Sequence, residues 1–256
     1  MTTFRYPCYR DLLKSLGSFD AICGYATIAV DFLSEELEQN SEPRDWLERY
    51  SKGHGVTLHD VDYNSLAPRL TEMFVLLVHA RFEDFLRSFL QEHTASQLWE
   101  PRGDLGLFEY VMKNLLLLHS ANGAETRETI MYYRLARNTI SHPGIKTTRL
   151  HNQRTKLRSM LNITDEYMPP KALGAFDYGD FFMFTRAVKV YAAIICQAAR
   201  PSNSEIADLI APKIRSFNRF KNKPKRFRNG LRQFLRMNYY LDTVESDGII
   251  DHIVGR

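Results

Sequence analysis

The chain has 256 residues, of which 44% are hydrophobic and 25% are charged, and its mean hydropathy is -0.34. These values are typical of a globular protein, and together with 13 Gly and 10 Pro residues they exclude collagen-like and low-complexity classes. The net charge of +4 is too small to indicate a class of partner by itself.

The first part of the chain, residues 1–62, is predicted to be a helical extension with helices over 9–16 and 19–39. Within it, residues 1–16 carry Arg5, Arg10, Asp11 and Lys14 and no apolar core, so we do not expect a secretory signal. No uninterrupted apolar run in the chain approaches the roughly 20 residues that cross a bilayer. The segment 50–63 is predicted to be a loop, and we interpret its His54, His59, Asp60 and Asp62 as a polar loop and not as a metal site. We expect a soluble cytoplasmic protein that has no membrane partner and no metal or other cofactor.

The cysteines favour the same compartment. Cys8, Cys23 and Cys196 are odd in number, and none belongs to a Cys-x-x-Cys pair. We therefore expect reduced and buried thiols, as in a cytosolic protein.

Residues 63–200 are predicted to form a helical bundle. Apolar side chains recur there every three or four residues, which is the helical period, and no strand-like alternation stands out. The stop signals Asn122-Gly123 and Pro143-Gly144 follow two of the periodic segments. The predicted bundle helices cover 65–93, 104–119, 125–141 and 178–199, with a further helix near 149–161 in the long connection between the last two.

Residues 201–256 form a basic C-terminal region with a predicted helix that starts at Glu205 after a cap in the segment 201–204. Its segment 213–236 contains ten of the 34 Lys and Arg residues and no acidic residue, which leaves 24 basic against 30 acidic residues elsewhere. Four Phe residues lie among these cations. The sequence as a whole thus predicts an all-α protein with a mildly acidic body and a basic, helical C-terminal region.

One helix end carries a group of side chains suited to chemistry. In the segment YYRLARNTISHPG, residues 132–144, Arg137, Asn138 and His142 lie within six residues. Asn138 and His142 are four apart and share a helix face. A permanently charged guanidinium beside a group that titrates near neutrality suits phosphodiester chemistry. The alternative is that these side chains only cap the helix and complement its dipole.

The run from Arg137 to His142 resembles the R-x4-6-H signature of the HEPN superfamily, the higher eukaryotes and prokaryotes nucleotide-binding domains. The spacing of four and the polar Asn138 after the Arg both match that signature. The position of the motif, after Ala80–Leu86 and before Asp180–Phe182, is also similar to the family's arrangement. The resemblance covers roughly residues 63–200.

The resemblance implies a HEPN-like bundle and a metal-independent endoribonuclease that works as a homodimer. Two motif helices would meet, and the two Arg/His pairs would form one composite site that leaves 2′,3′-cyclic phosphate and 5′-OH ends. His142 would act in proton transfer, Arg137 would bind the scissile phosphate, and Asn138 would position the pair. Many members are toxins or antiviral effectors with an antitoxin or defence-system partner, and some are non-catalytic adaptors.

Two further sets of residues are candidates for supporting roles. Glu83 lies beside an apolar stripe, where it can hold Arg137 or Arg134 in place or pair with Arg87 four residues on. In the basic region, RNA binding is predicted for Lys221, Lys223, Lys225, Arg226 and Arg228, with the Phe rings stacking on bases. The alternatives for this region are amphipathic helices that pack their Phe residues on the body, or a site for an acidic protein partner. A nucleic-acid binding protein without cleavage is a third possible function.

Overall fold

The computed structural model describes the chain except residues 1–3, 59–61, 63–64, 143, 145, 221 and 255–256, and except the side chain of residue 218. The part described is all-helical, which confirms the predicted class. Its α-helices are α1 Pro7–Glu38, α2 Pro43–Gly53, α3 Leu66–Glu92, α4 Leu107–Asn114, α5 Ala124–Ser141, α6 Thr148–Met160, α7 Tyr178–Ala198, α8 Asn203–Ile210, α9 Pro224–Tyr239 and α10 Thr243–Val254. Two 3-10 segments, Thr94–Leu98 and Arg215–Phe220, lie between them.

Helix α1 differs from the prediction of two shorter helices. The backbone stays helical through Gly17 and Ser18, although a Gly inside a helix costs about 1 kcal/mol relative to Ala. Leu16, Cys23 and Leu37 are each at most 1% exposed, and they recur on one side of the helix. Burial along that side stabilises one continuous helix across the glycine.

Helix α4 is shorter than its prediction. It ends at Asn114, five residues before the predicted end, because Leu116 adopts a left-handed φ of 57°. The amide of Leu117 then donates to the carbonyl of Met112 and closes the turn. By contrast, α3, α5, α6 and α7 follow their predicted ranges to within one or two residues.

The chain divides into two compact units that are discontinuous in sequence. One contains 1–14, 82–123 and 189–256, and the other contains 15–81 and 124–188. Neither unit coincides with the consecutive stretches 1–62, 63–200 and 201–256 predicted from composition. Sequence composition changes along the chain, whereas compactness depends on which helices pack together.

The unit of 15–81 and 124–188 is held together by an aromatic core. Tyr133 of α5 stacks on Phe184 of α7, with ring centroids 4.9 Å apart, and Phe74 of α3 meets Phe181 of α7 edge to face at 5.7 Å. Helices α5 and α6 are joined by Glu128, which accepts hydrogen bonds from Lys156 and Gln153. Aromatic packing of this kind stabilises beyond area burial alone, and it fixes α5 in place.

The other unit builds its core around α4, α8, α9 and α10. Phe108 contacts Phe82 and Tyr191 edge to face. The cap predicted before α8 is present and takes the form of a capping box, although the helix begins at Asn203 and not at Glu205. The Ser202 hydroxyl accepts from the Glu205 amide while the Glu205 carboxylate accepts from the Ser202 amide. The cysteines Cys8, Cys23 and Cys196 are free and buried, as predicted.

By length and composition alone, two of the described helices could cross a membrane. Both α1 and α7 contain an 18-residue window with a mean hydropathy of 1.3, a property that a search for uninterrupted apolar runs does not detect. Half of the α7 window is buried in the structure, as in the core helix of a globular protein, but only 11% of the α1 window is buried. The outer side of α1 is therefore an apolar surface that the fold does not cover.

Candidate functional site

The motif helix α5 is anchored by two tyrosines on its buried side. The Tyr132 hydroxyl donates to the backbone carbonyl of Lys171, and the Tyr133 hydroxyl donates to Oδ1 of Asp180 at 2.8 Å. Both tyrosines are fully buried. Since a buried hydroxyl without a partner is costly, these bonds fix the position and rotation of α5.

Asp180 accepts hydrogen bonds from three different residues and so connects α5 to the segment before α7. Its carboxylate is fully buried and accepts bonds from Tyr133 and from the amides of Lys171 and Asp177. Burial raises the pKa of this carboxyl to about 6, although the three hydrogen bonds act in the opposite direction. Sequence analysis quoted Asp180 only as part of the family resemblance, and its structural role had no signal beyond an acidic residue in a first helical turn.

The motif residues lie away from the buried side of α5. Arg137 and Asn138 are half-buried and His142 is exposed, one residue past the end of the helix. The Arg137 guanidinium donates from Nη1 to Oδ1 of Asn138 at 3.0 Å, and the His142 amide donates to the Asn138 carbonyl at 3.0 Å. The structure thus brings Arg137 and Asn138 together and leaves the His142 imidazole facing solvent.

Arg137 has no carboxylate partner among the described residues. A half-buried guanidinium without a counterion keeps most of its donors for an anion from outside the chain. Pro143, predicted to end the helix, lies outside the described residues. Gly144 has a φ of 116°, a conformation that favours glycine.

Glu83 takes the second of its two predicted roles. Its carboxylate pairs with Arg87, with Oε2 3.2 Å from Nη2, as expected for residues four apart on a helix. Asp84 shares the same guanidinium at 3.1 Å. The described contacts of Glu83 therefore concern α3 and not the motif. His59 and Asp60 of the polar loop lie outside the described residues, and His54 is exposed.

The positive charge of the segment 213–236 is partly neutralised by acidic residues of α10. Arg228 pairs with Asp251 at 2.6 Å, and Arg232 pairs with Asp247 at 2.7 Å. These acidic partners lie 23 and 15 residues further along the chain, and the charge pattern of 213–236 did not indicate them. Lys221 lies outside the described residues. The cations Lys223, Lys225 and Arg226 are exposed, so the candidate RNA-binding set divides into exposed cations and one paired arginine.

The aromatic residues of this region have different environments. Phe227 is buried on the inner face of α9 together with Leu231 and Leu235, as the packing alternative predicted. Phe220 is half-exposed, and the guanidinium carbons of Arg219 and Arg226 lie 4.7 and 4.3 Å from its ring centroid. Cation–π contact of this kind holds two long side chains in place.

Comparison with family models, with curated proteins and with solved structures finds no match to this chain. The resemblance to the HEPN superfamily rests on the run from Arg137 to His142 and on its place in a helical chain.

Proposed function

We propose that this protein is a metal-independent endoribonuclease of the HEPN type, acting in the cytoplasm as a toxin or antiphage effector. The observation that carries the proposal is the Arg137–Asn138 hydrogen bond beside an exposed His142 at the end of α5. This arrangement supplies a fixed cation and a proton-transferring group within a few residues. A guanidinium with no acidic partner among the described residues suits a phosphate ligand.

The reaction requires no group beyond the RNA and these side chains. The ribose 2′-oxygen attacks the adjacent phosphorus, the bond to the 5′-oxygen breaks, and the products carry 2′,3′-cyclic phosphate and 5′-OH ends. His142 transfers a proton in this exchange. Arg137 stabilises the charge that builds on the phosphoryl oxygens, and Asn138 orients the guanidinium. In a homodimer, a second copy contributes its own pair to the same site.

In this proposal the basic C-terminal region binds RNA. Exposed cations such as Lys223, Lys225 and Arg226 can contact phosphates. Arg228 contributes less, because its charge is shared with Asp251. An antitoxin or defence-system partner that masks these cations would regulate access.

The test is incubation of the purified protein with total RNA in the presence of EDTA, followed by analysis of the new ends. We expect cleavage that leaves 5′-OH and cyclic phosphate ends. Cleavage that EDTA abolishes would indicate a metallonuclease. RNA that stays intact would favour a protein that binds a nucleotide, a protein or RNA without cleaving.

The alternative is a non-catalytic HEPN-like adaptor that binds a nucleotide or a protein. A cavity of about 270 Å³ beside α5 favours the nucleotide version. Apolar and polar side chains share its lining, which is the usual character of a small-molecule site: Tyr132, Thr147, Leu150, His151, Arg154, Ala172 and Leu173. Saturable binding of a mononucleotide, lost on His151→Ala in a protein that does not cleave RNA, would favour the adaptor.

A further inference from the structure

Helix α1 has an apolar stripe on its solvent side. Exposure is 51% for Ile22, 76% for Tyr25, 67% for Ile28 and 63% for Phe32. Ala21 and Ala29 lie between them and are also exposed. At 100° per residue these six residues share an arc of about 120°. We call them the α1 stripe.

The opposite side of the same helix is already packed. Leu16, Cys23 and Leu37 are buried there, on the side of α1 facing away from the stripe. A helix that is apolar all round is normally buried all round. The α1 stripe is therefore a surface whose burial the folded chain does not provide.

The size of the stripe fits one side of a protein interface. Aromatic side chains present about 150–250 Å² each, so the four large residues expose about 500 Å² of apolar area. A contiguous patch of that size lies at the upper end for a monomer. It supplies the apolar centre of a standard interface, which buries about 800 Å² on each partner.

The charges along α1 indicate what covers the α1 stripe. The basic residues Arg10 and Lys14 lie in the first turns of α1, outside the stripe. Among residues 15–38 there is no Lys or Arg, while Asp20 precedes the stripe and Asp31, Glu35, Glu36 and Glu38 occupy the C-terminal third. Acidic residues without basic ones disfavour a lipid surface, because anionic headgroups repel them. In an antiparallel pair of α1 helices the two acidic ends lie at opposite ends of the interface, and the helix dipoles also oppose.

We infer that the α1 stripe is a two-fold interface with a second copy of this chain, in which the two α1 helices run antiparallel. A two-fold contact needs one self-complementary patch, and the stripe is apolar throughout and nearly symmetric about Thr27. In this register Ile22 faces Phe32 of the partner subunit and Tyr25 faces Ala29 of the partner subunit. The inference rests on the proposed function only for the expectation of a homodimer; it concerns α1 alone, and the composite site additionally requires the two α5 motif helices to meet.

The first test removes the apolar surface. The double variant Ile28→Gln with Phe32→Gln is expected to raise the dimer dissociation constant at least about a hundredfold, since central large residues carry most interface energy. The matched control is Leu98→Gln with Val244→Gln, which changes two residues that are 88% and 81% exposed but lie outside the stripe. Light scattering over a dilution series measures both, and circular dichroism checks that each variant keeps its helices.

The second test reads the register directly. Across the two-fold axis, two copies of residue 28 are offset by about 3 Å along the helices and two copies of residue 22 by about 15 Å. Under mild oxidation Ile28→Cys should form a disulfide-linked dimer, and Ile22→Cys should not, because a disulfide spans a Cα separation of about 4.4–6.8 Å. The wild-type chain, with its three cysteines buried, is the control without an added thiol.

The outcomes distinguish a second copy of the chain from a membrane as the partner of the α1 stripe. Cross-linking at neither position, or at both, overturns the antiparallel register, and a control and stripe variant that stay equally dimeric overturn the interface. A wild-type chain that is monomeric at micromolar concentration and floats with phosphatidylcholine vesicles assigns the stripe to a membrane instead. Mass and cross-linking do not depend on RNA. A wild-type protein that is dimeric but does not cleave RNA would contradict the ribonuclease proposal and leave the α1 interface standing.

Discussion

At the end of α5, three side chains take different parts in the proposed reaction, and single substitutions separate them. His142→Ala should abolish cleavage and leave RNA affinity within a few fold, because the loss falls on proton transfer. Arg137→Ala should abolish cleavage and also weaken RNA binding. Arg137→Lys should be poor as well, since an ammonium lacks the planar fork that holds a phosphate through two bonds. Single-turnover cleavage and filter binding measure the two effects.

A second exposed histidine provides the control for this series. His252→Ala changes an imidazole on α10 that is also exposed and should leave the cleavage step unchanged. If the alanine variants of Arg137 and His142 cut RNA as fast as wild type, the motif only caps its helix.

Asp180 gives a prediction about pH and stability. Its pKa in the folded protein is about 6, above the value of about 4 expected when unfolded, so between these values the folded state binds more protons. The contribution of Asp180 to the free energy of unfolding should fall as the pH rises from about 4 to about 6 and stay constant above. Asp180→Asn should remove that change and cost about 1–3 kcal/mol, because the new amide group faces the Asp177 amide, a second donor.

Urea unfolding between pH 4 and 8 measures this effect. Asp31→Asn, an exposed substitution on α1, should keep the wild-type pH dependence. An unchanged profile in Asp180→Asn would assign the pH dependence to other groups.

At the scale of elements, α9 shows how a neighbouring helix determines which cations of a basic segment stay unpaired. Its inner face buries Phe227, Leu231 and Leu235, and its outer cations divide by their contacts with α10. Replacing Lys223, Lys225 and Arg226 with Gln should reduce the slope of log affinity for single-stranded RNA against log salt by about 2, because about 0.7 counterion is released per phosphate contact. Cleavage at saturating RNA should survive.

The control for this prediction is the paired arginine. Arg228→Gln together with Asp251→Asn removes one cation and its partner, keeps the net charge, and should leave the salt slope within error. If the triple variant also binds RNA with an unchanged slope, the exposed cations serve a protein partner or none.

Periodicity predicted the ranges of α3, α5, α6 and α7, but α2 was not predicted. The predicted loop over 50–63 was wrong at its start, because α2 continues to Gly53. The predicted range of α5 agrees with the structure except for one residue at its start. It agrees because acidic residues at the start, a 3.6-residue period and the Pro143-Gly144 stop all indicate the same helix. The break predicted at Gly17-Ser18 was wrong, since burial of Leu16, Cys23 and Leu37 outweighs the local cost of glycine. The end of α4 was wrong because nothing local indicates that Leu116 adopts a positive φ.

At the scale of the whole molecule, assembly and activity should be coupled. If one chain supplies half of a composite site, the mass in dilute solution should be a multiple of 29.8 kDa, and specific cleavage activity should fall as dilution produces monomer. Light scattering and RNA cleavage over the same concentration range test this. A strictly monomeric protein that still cuts RNA would contradict the composite site.

The sequence by itself determined the helical class, the ranges of α3, α5, α6 and α7, the buried thiols and the short spacing of Arg137, Asn138 and His142. These properties depend on residues close together along the chain, where period, capping and composition act. The tertiary structure decided which groups meet: Asp180 with Tyr133, Arg228 with Asp251, and Arg137 with Asn138 but with no carboxylate in the part described. It also decided that one side of α1 stays in water, because burial depends on contacts between segments far apart in sequence.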